Sequence, residues 1–112
     1  MPDKNLVSKA YQTFLKEAPG HSQAWIDMIH KISRTGALDE KTAALCYLSV
    51  LAALRLESGV AFHVQQAKKC GASREEVISA ILLGLPPAGL GVIQALPPAI
   101  EAYDGQSASG DS

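Results

Sequence analysis

The sequence predicts an all-α protein. Strict alternation of polar and apolar residues, the mark of a half-buried strand, is rare along the chain. Apolar residues recur instead at spacings of three and four, one face of a helix. Glycine, proline and serine fall where such helices start and stop. Together these signals predict six helical regions in one domain over residues 1–104.

The first helix is predicted over roughly Asn5 to Glu17, with Leu6, Ala10, Phe14 and Leu15 marking its face. Ala18-Pro19-Gly20 is a stop signal. A second helix fits Ser22 to Ser33, with Trp25, Met28, Ile29 and Ile32 on one side. Asp39 is the expected N-cap of a third, running from about Glu40 to Leu56. From Ala43 to Leu56 its clearly polar groups are Ser49, Arg55 and the Tyr47 hydroxyl. A helix apolar nearly all round needs cover on all sides, which neighbouring subunits can supply.

Ser58 is placed to cap a fourth helix, Gly59 to about Lys69, with Gly71 as the left-handed residue after it. Ser73 and Glu76 form a capping-box signature for a fifth helix, Arg74 to about Leu85. A sixth helical region starts near Ala88, with a kink or split expected at Pro97-Pro98. The tail from Gly105 to Ser112, GQSASGDS, is small and polar and is expected to be disordered.

Composition narrows the function classes. Hydrophobic residues at 47% and charged residues at 19% describe a globular chain, not a disordered one. A net charge of −1 gives no basic excess to attract nucleic acid or an anionic membrane. The start of the chain, MPDKNLVSKAYQ, has no apolar core segment of the signal-peptide kind. Val77 to Ile100 carries no charge, but Pro86, Pro87, Pro97 and Pro98 interrupt it, with Gly84, Gly89 and Gly91. Short buried helices are expected there in place of a membrane span. Cys46 and Cys70 match no zinc or redox spacing and read as reduced thiols of a cytoplasmic protein. Cys46 is expected in the core.

The stretch LRLESGVAFHVQQAKK, Leu54 to Lys69, holds the candidate chemistry. On a helix His63 shares a face with Gly59, Val60, Gln66 and Ala67. Gly59 and Ala67 leave space beside the imidazole, and Gln66 is placed to orient it. Glu57 lies one turn before the helix. An imidazole that titrates near neutrality beside open space suits general acid–base catalysis. A structural histidine bonded to a backbone carbonyl fits the same residues. His21 and His30 are expected to face solvent. No two histidines stand at metal-ligand spacing, so no metal site is expected. Ser49 and Ser58 lack a nucleophile setting such as GxSxG.

The run LDEKTAALCYLSVLAALRLESGVAFHVQQAKKCGASREEVISAILLGLPPAG, Leu38 to Gly89, resembles the carboxymuconolactone decarboxylase family, which includes the alkylhydroperoxidase D-like proteins. The likeness lies in the LDEKT opening, the long alanine and leucine helix, VAFH, and GASREEVISAILL. It implies an all-helical fold around a helical hairpin and a homo-oligomer, a trimer or a hexamer. It implies no cofactor. In the family's peroxidase branch the motif is Cys-x-x-Cys-x-x-x-His with a glutamate one helix earlier. Those positions fall here at Leu56, Gly59, His63 and about Ala44, so only the histidine is kept. Peroxide reduction by that route needs one thiolate to attack and a second thiol to resolve.

The decarboxylase branch does without the cysteine pair and keeps the histidine. It removes carbon dioxide from a small lactone acid. That resemblance implies His63 as proton donor, Arg55 as holder of the carboxylate, and Glu57 as a positioning group for either. Arg55 also reads as an exposed or inter-subunit charge. Three expectations stand: an acid–base enzyme with its pocket between subunits, a ligand-binding or accessory protein without turnover, and a thiol peroxidase using displaced cysteines.

Overall fold

The structure, a computed structural model, describes residues 8–105. They form six helices of eight residues or more, one four-residue helical turn, two 3-10 segments and, among the described residues, no strand. The chain divides into two compact units, Met1–Leu38 and Asp39–Ser112. The expected disordered tail, apart from Gly105, and the start of the first helix at Asn5 lie outside the described residues.

The first unit is a helical pair, α1 (Lys9–Glu17) and α2 (Pro19–Thr35). Ser8 caps α1: its hydroxyl accepts the Tyr11 amide proton at 3.1 Å. Pro19 opens α2 three residues ahead of the expected Ser22. Proline suits the first helical position, where its missing N–H has no partner to lose. Ala18-Pro19-Gly20 therefore joins two helices directly.

The second unit holds α3 (Glu40–Ala53), a 3-10 turn (Glu57–Gly59), α4 (Val60–Lys69) and α5 (Arg74–Leu82). After these come the short turn α6 (Leu85–Ala88), a 3-10 segment (Leu90–Ala95) and α7 (Leu96–Tyr103). Asp39 caps α3, accepting the Thr42 amide proton at 2.7 Å, and that bond holds its carboxyl below the usual range. Ser73 and Glu76 close their capping box: the serine hydroxyl accepts the Glu76 amide at 3.1 Å, and Glu76 Oε1 accepts the Ser73 amide at 2.9 Å.

Several boundaries differ from expectation, among them the end of α5, which falls at Leu82 and not Leu85. α3 stops at Ala53, not Leu56, because Arg55 turns left-handed with φ 63°. Ser58 does not cap α4; it lies inside the 3-10 turn, and the cap position falls to Gly59. The split expected at Pro97-Pro98 is present: the 3-10 segment ends at Ala95, and both prolines fall in the first turn of α7, where proline starts a helix.

α3 packs against α4 and α5, and α7 closes on both of those helices. Leu48, Val60, Val64, Val77, Ile81 and Val92 are the largest fully buried side chains. Much of the rest is alanine: Ala52, Ala67, Ala72, Ala95, Ala99 and Ala102. Gly84 lets the 3-10 segment approach, since a Cβ there would lie 3.1 Å from Val92 Cγ1. Polar side chains tie the helices across this core. Ser49 donates to the Ala80 carbonyl at 2.6 Å, Tyr103 to the Ala72 carbonyl at 2.8 Å, and Gln65 to the Ala102 carbonyl. Among the described residues no helix is long and apolar enough to cross a membrane.

Ile81, on α5, is fully buried, so Ile81→Ala removes transfer energy and leaves a cavity. Urea unfolding of that variant is expected to show a loss of about 2–5 kcal/mol. Ser73→Ala, which strips one cap bond, is expected to lose about 1 kcal/mol in the same measurement.

Candidate functional site

The chain reverses between α3 and α4, and the reversal sets one residue of each helix ring against ring. Tyr47, on α3, stacks on His63, on α4, with centroids 4.2 Å apart and ring planes 19° from parallel. Phe62 meets the imidazole edge-on at 5.1 Å. Gly59, one turn before His63, leaves room: a Cβ there would stand 4.0 Å from His63 Cδ2 and 3.8 Å from Leu51 Cδ1.

His63 is half-buried, and desolvation pushes its pKa below the ordinary 6.5. Among the described residues no hydrogen bond reaches either ring nitrogen, so the backbone-carbonyl partner of a structural histidine is not seen. A neutral imidazole offers one donor and one acceptor.

Arg55 and Glu57 meet in the turn between α3 and α4, while Gln66 lies in α4. Arg55 Nε donates to Glu57 Oε2 at 3.2 Å. The Glu57 carboxyl is held below the usual range, first by its own backbone N–H and then by Arg55. No hydrogen bond or ion pair joins Arg55, Glu57 or Gln66 to His63 among the described residues. Glu57 and Arg55 thus form one pair, and His63 with Tyr47 another.

Cys46 corrects an expectation. It is exposed, not core. The buried line of α3 runs through Leu48 and Ala52, one turn apart, and two residues earlier the helix has rotated by about 200°. Cys46 borders an open groove between α3 and α5 of about 420 Å³, lined also by Thr42, Leu45, Ser49, Ser79 and Leu83. His63 is not among its walls. Cys70, at the end of α4, is half-buried, and both thiols are free. Among the described residues no three His, Cys, Asp or Glu side chains group as metal ligands would.

Tyr47 was not singled out from the sequence as a site residue. Its only signal is an aromatic side chain with a polar tip on an otherwise apolar helix. The partner lies sixteen positions away, beyond the reach of helical spacing.

Comparison with known proteins now bears on this geometry. The sequence profile of the carboxymuconolactone decarboxylase family matches residues 19–102. The chain therefore belongs to that family. The fold is similar to the crystal structure of the apo form of a carboxymuconolactone decarboxylase family protein from Legionella pneumophila. The TM-score is 0.73 at 25% identity, over 86% of this chain and 86% of that one. No curated protein matches.

The depressed pKa of His63 has a consequence for stability. The unfolded chain takes up a proton near pH 6.5, and the folded imidazole takes it only at lower pH. Folding stability is expected to be insensitive to His63 above about pH 7.5 and to fall as pH drops from about 6.5 through the folded value. An NMR titration of the His63 Cε1 proton should show a midpoint below 6.5. Tyr47→Ala, which opens the ring to water, should move that midpoint upward.

Proposed function

We propose that this chain is an acid–base enzyme of the decarboxylase type, a lyase acting on a small carboxylic acid with His63 as its proton carrier. The observation that carries the reading is the His63 imidazole: half-buried, stacked on Tyr47, and without a hydrogen-bond partner at either nitrogen among the described residues. In decarboxylation the electron pair of the breaking carbon–carbon bond stays on the substrate carbon as carbon dioxide leaves. That carbon then takes a proton. An imidazolium of lowered pKa is a stronger acid than a free one, and it regains its proton from water. Arg55 is the cation for the substrate carboxylate. No cofactor enters this scheme.

A second reading, ligand binding or an accessory role without turnover, draws support from two observations. Arg55 is already paired with Glu57, and the groove beside Cys46 does not include His63. Against a thiol peroxidase stand the apolar residues Leu56 and Gly59 at the thiol positions.

The same proposal includes a homo-oligomer, a trimer or hexamer, in the cytoplasm. Tyr47, Val50 and Leu54 along α3 are 41%, 56% and 62% exposed, an apolar surface suited to burial against other copies. Sedimentation velocity at micromolar concentration is expected to show trimers or hexamers; a monomer alone would remove this part.

The activity is tested by carbon dioxide release from 4-carboxymuconolactone. Turnover is expected, falling at least a hundredfold in a folded His63→Gln variant. Its kcat/KM should decline as pH rises above the His63 midpoint. Binding without release would favour the second reading.

A further inference from the structure

Two helices of the second unit end in the same turn. At the end of α4 the Ala72 amide reaches back to the Ala67 carbonyl and the Gly71 amide to Lys68, both at 3.0 Å, with Gly71 at φ 96°. At the end of α3 the Leu56 amide reaches Leu51 at 2.9 Å and the Arg55 amide reaches Ala52 at 3.2 Å. There the left-handed position is held by Arg55, the one non-glycine residue with positive φ among those described. Glycine adopts that conformation freely, and a side chain does not. An arginine persists there when surrounding structure holds it.

Its guanidinium is held on two sides. It lies against Gly91, where a Cβ would stand 2.9 Å from Nη1 and 3.4 Å from Cδ. On the other side Nε is engaged by Glu57. The side chain is still 53% exposed, and no protein acceptor takes the Nη protons among the described residues. A guanidinium carries five donors in a fork that matches a carboxylate, and Glu57 uses one of them. Among the sequence neighbours of Arg55 and Gly91, Leu56 and Leu90 are exposed and apolar.

We propose that Glu57 competes with the carboxylate of a small, largely apolar acid for the Arg55 guanidinium, and that Gly91 is the floor that seats this guanidinium for the acid. The proposal rests on the reading that the chain acts on a small carboxylic acid, and it names what meets the acid and what opposes it. Two carboxylates on one guanidinium repel, so an incoming acid displaces Glu57. Gly91 is a specificity residue in this scheme because any side chain there lifts the guanidinium from its seat.

The test is a titration of the full-length chain with cyclohexanecarboxylate, following the Arg55 Nε–Hε resonance by NMR, with cyclohexanecarboxamide as the uncharged control. Glu57→Gln is expected to bind the acid at least fivefold tighter than wild type. Gly91→Ala and Arg55→Lys should bind it at least tenfold more weakly. Arg55→Gly should lose binding while its Tm rises, since glycine suits the left-handed turn. A structural strap predicts the reverse: Arg55→Gly lowers Tm, and Glu57→Gln does not tighten binding. Either result overturns the proposal, as does equal binding of the amide. Lack of carbon dioxide release with this binding pattern intact would sink the decarboxylase reading alone. Turnover without the Glu57 effect would sink the present proposal alone.

Discussion

When α3 stops at Ala53, the carbonyls of Leu51 and Ala52 are left without helical partners, and the amides of Leu56 and Arg55 close back onto them. That closure turns the chain. Once turned, the 3-10 segment at Glu57–Gly59 leads straight into α4, which runs back along α3 with Val60, Val64 and Ala67 buried. Without the turn there is no α3–α4 contact for α5 and α7 to cover, and no meeting of Tyr47 with His63. The backbone penalty of a left-handed arginine, about 1–2 kcal/mol, is small beside the burial it makes possible.

Local signals in the sequence located most of the helices for a simple reason: caps and stops act within four residues. Asp39, Ser73 with Glu76, and Gly71 were legible because each works on its own turn. Arg55 was not, because arginine is a good helix former and its left-handed turn is chosen by contacts with Gly91 and Glu57. The prolines mark the place of a break but not its kind. Pro97-Pro98 reads as a break from either direction, and whether it ends or begins a helix depends on what packs after it.

The site divides along the same line. His63 could be picked out as a histidine among small and apolar residues, and Gly59 as the space beside it. The partner ring of Tyr47 comes from another helix, and a pattern confined to one helix cannot show it. Cys46 shows the limit of composition. On a helix apolar nearly all round, hydrophobicity does not tell the inner face from the outer one, and the inner face belongs to Leu48 and Ala52. Membership of the carboxymuconolactone decarboxylase family fixes the frame in which these residues stand.

The alanines of the core carry a consequence for how this chain can change over generations. Where α4 meets α7, Ala67, Ala99 and Ala102 are buried almost completely. Alanine gives up no rotamer freedom on burial, so this contact forms at little entropic expense. It is also a ratchet. Any mutation there can only enlarge the side chain or replace it with glycine, and either one disturbs close packing or loosens the helix. Drift is thus channelled away from that seam and toward the outer faces of α2 and α3. New binding specificities in such a lineage would arise by changing what the helices display, with the spacing between them held constant.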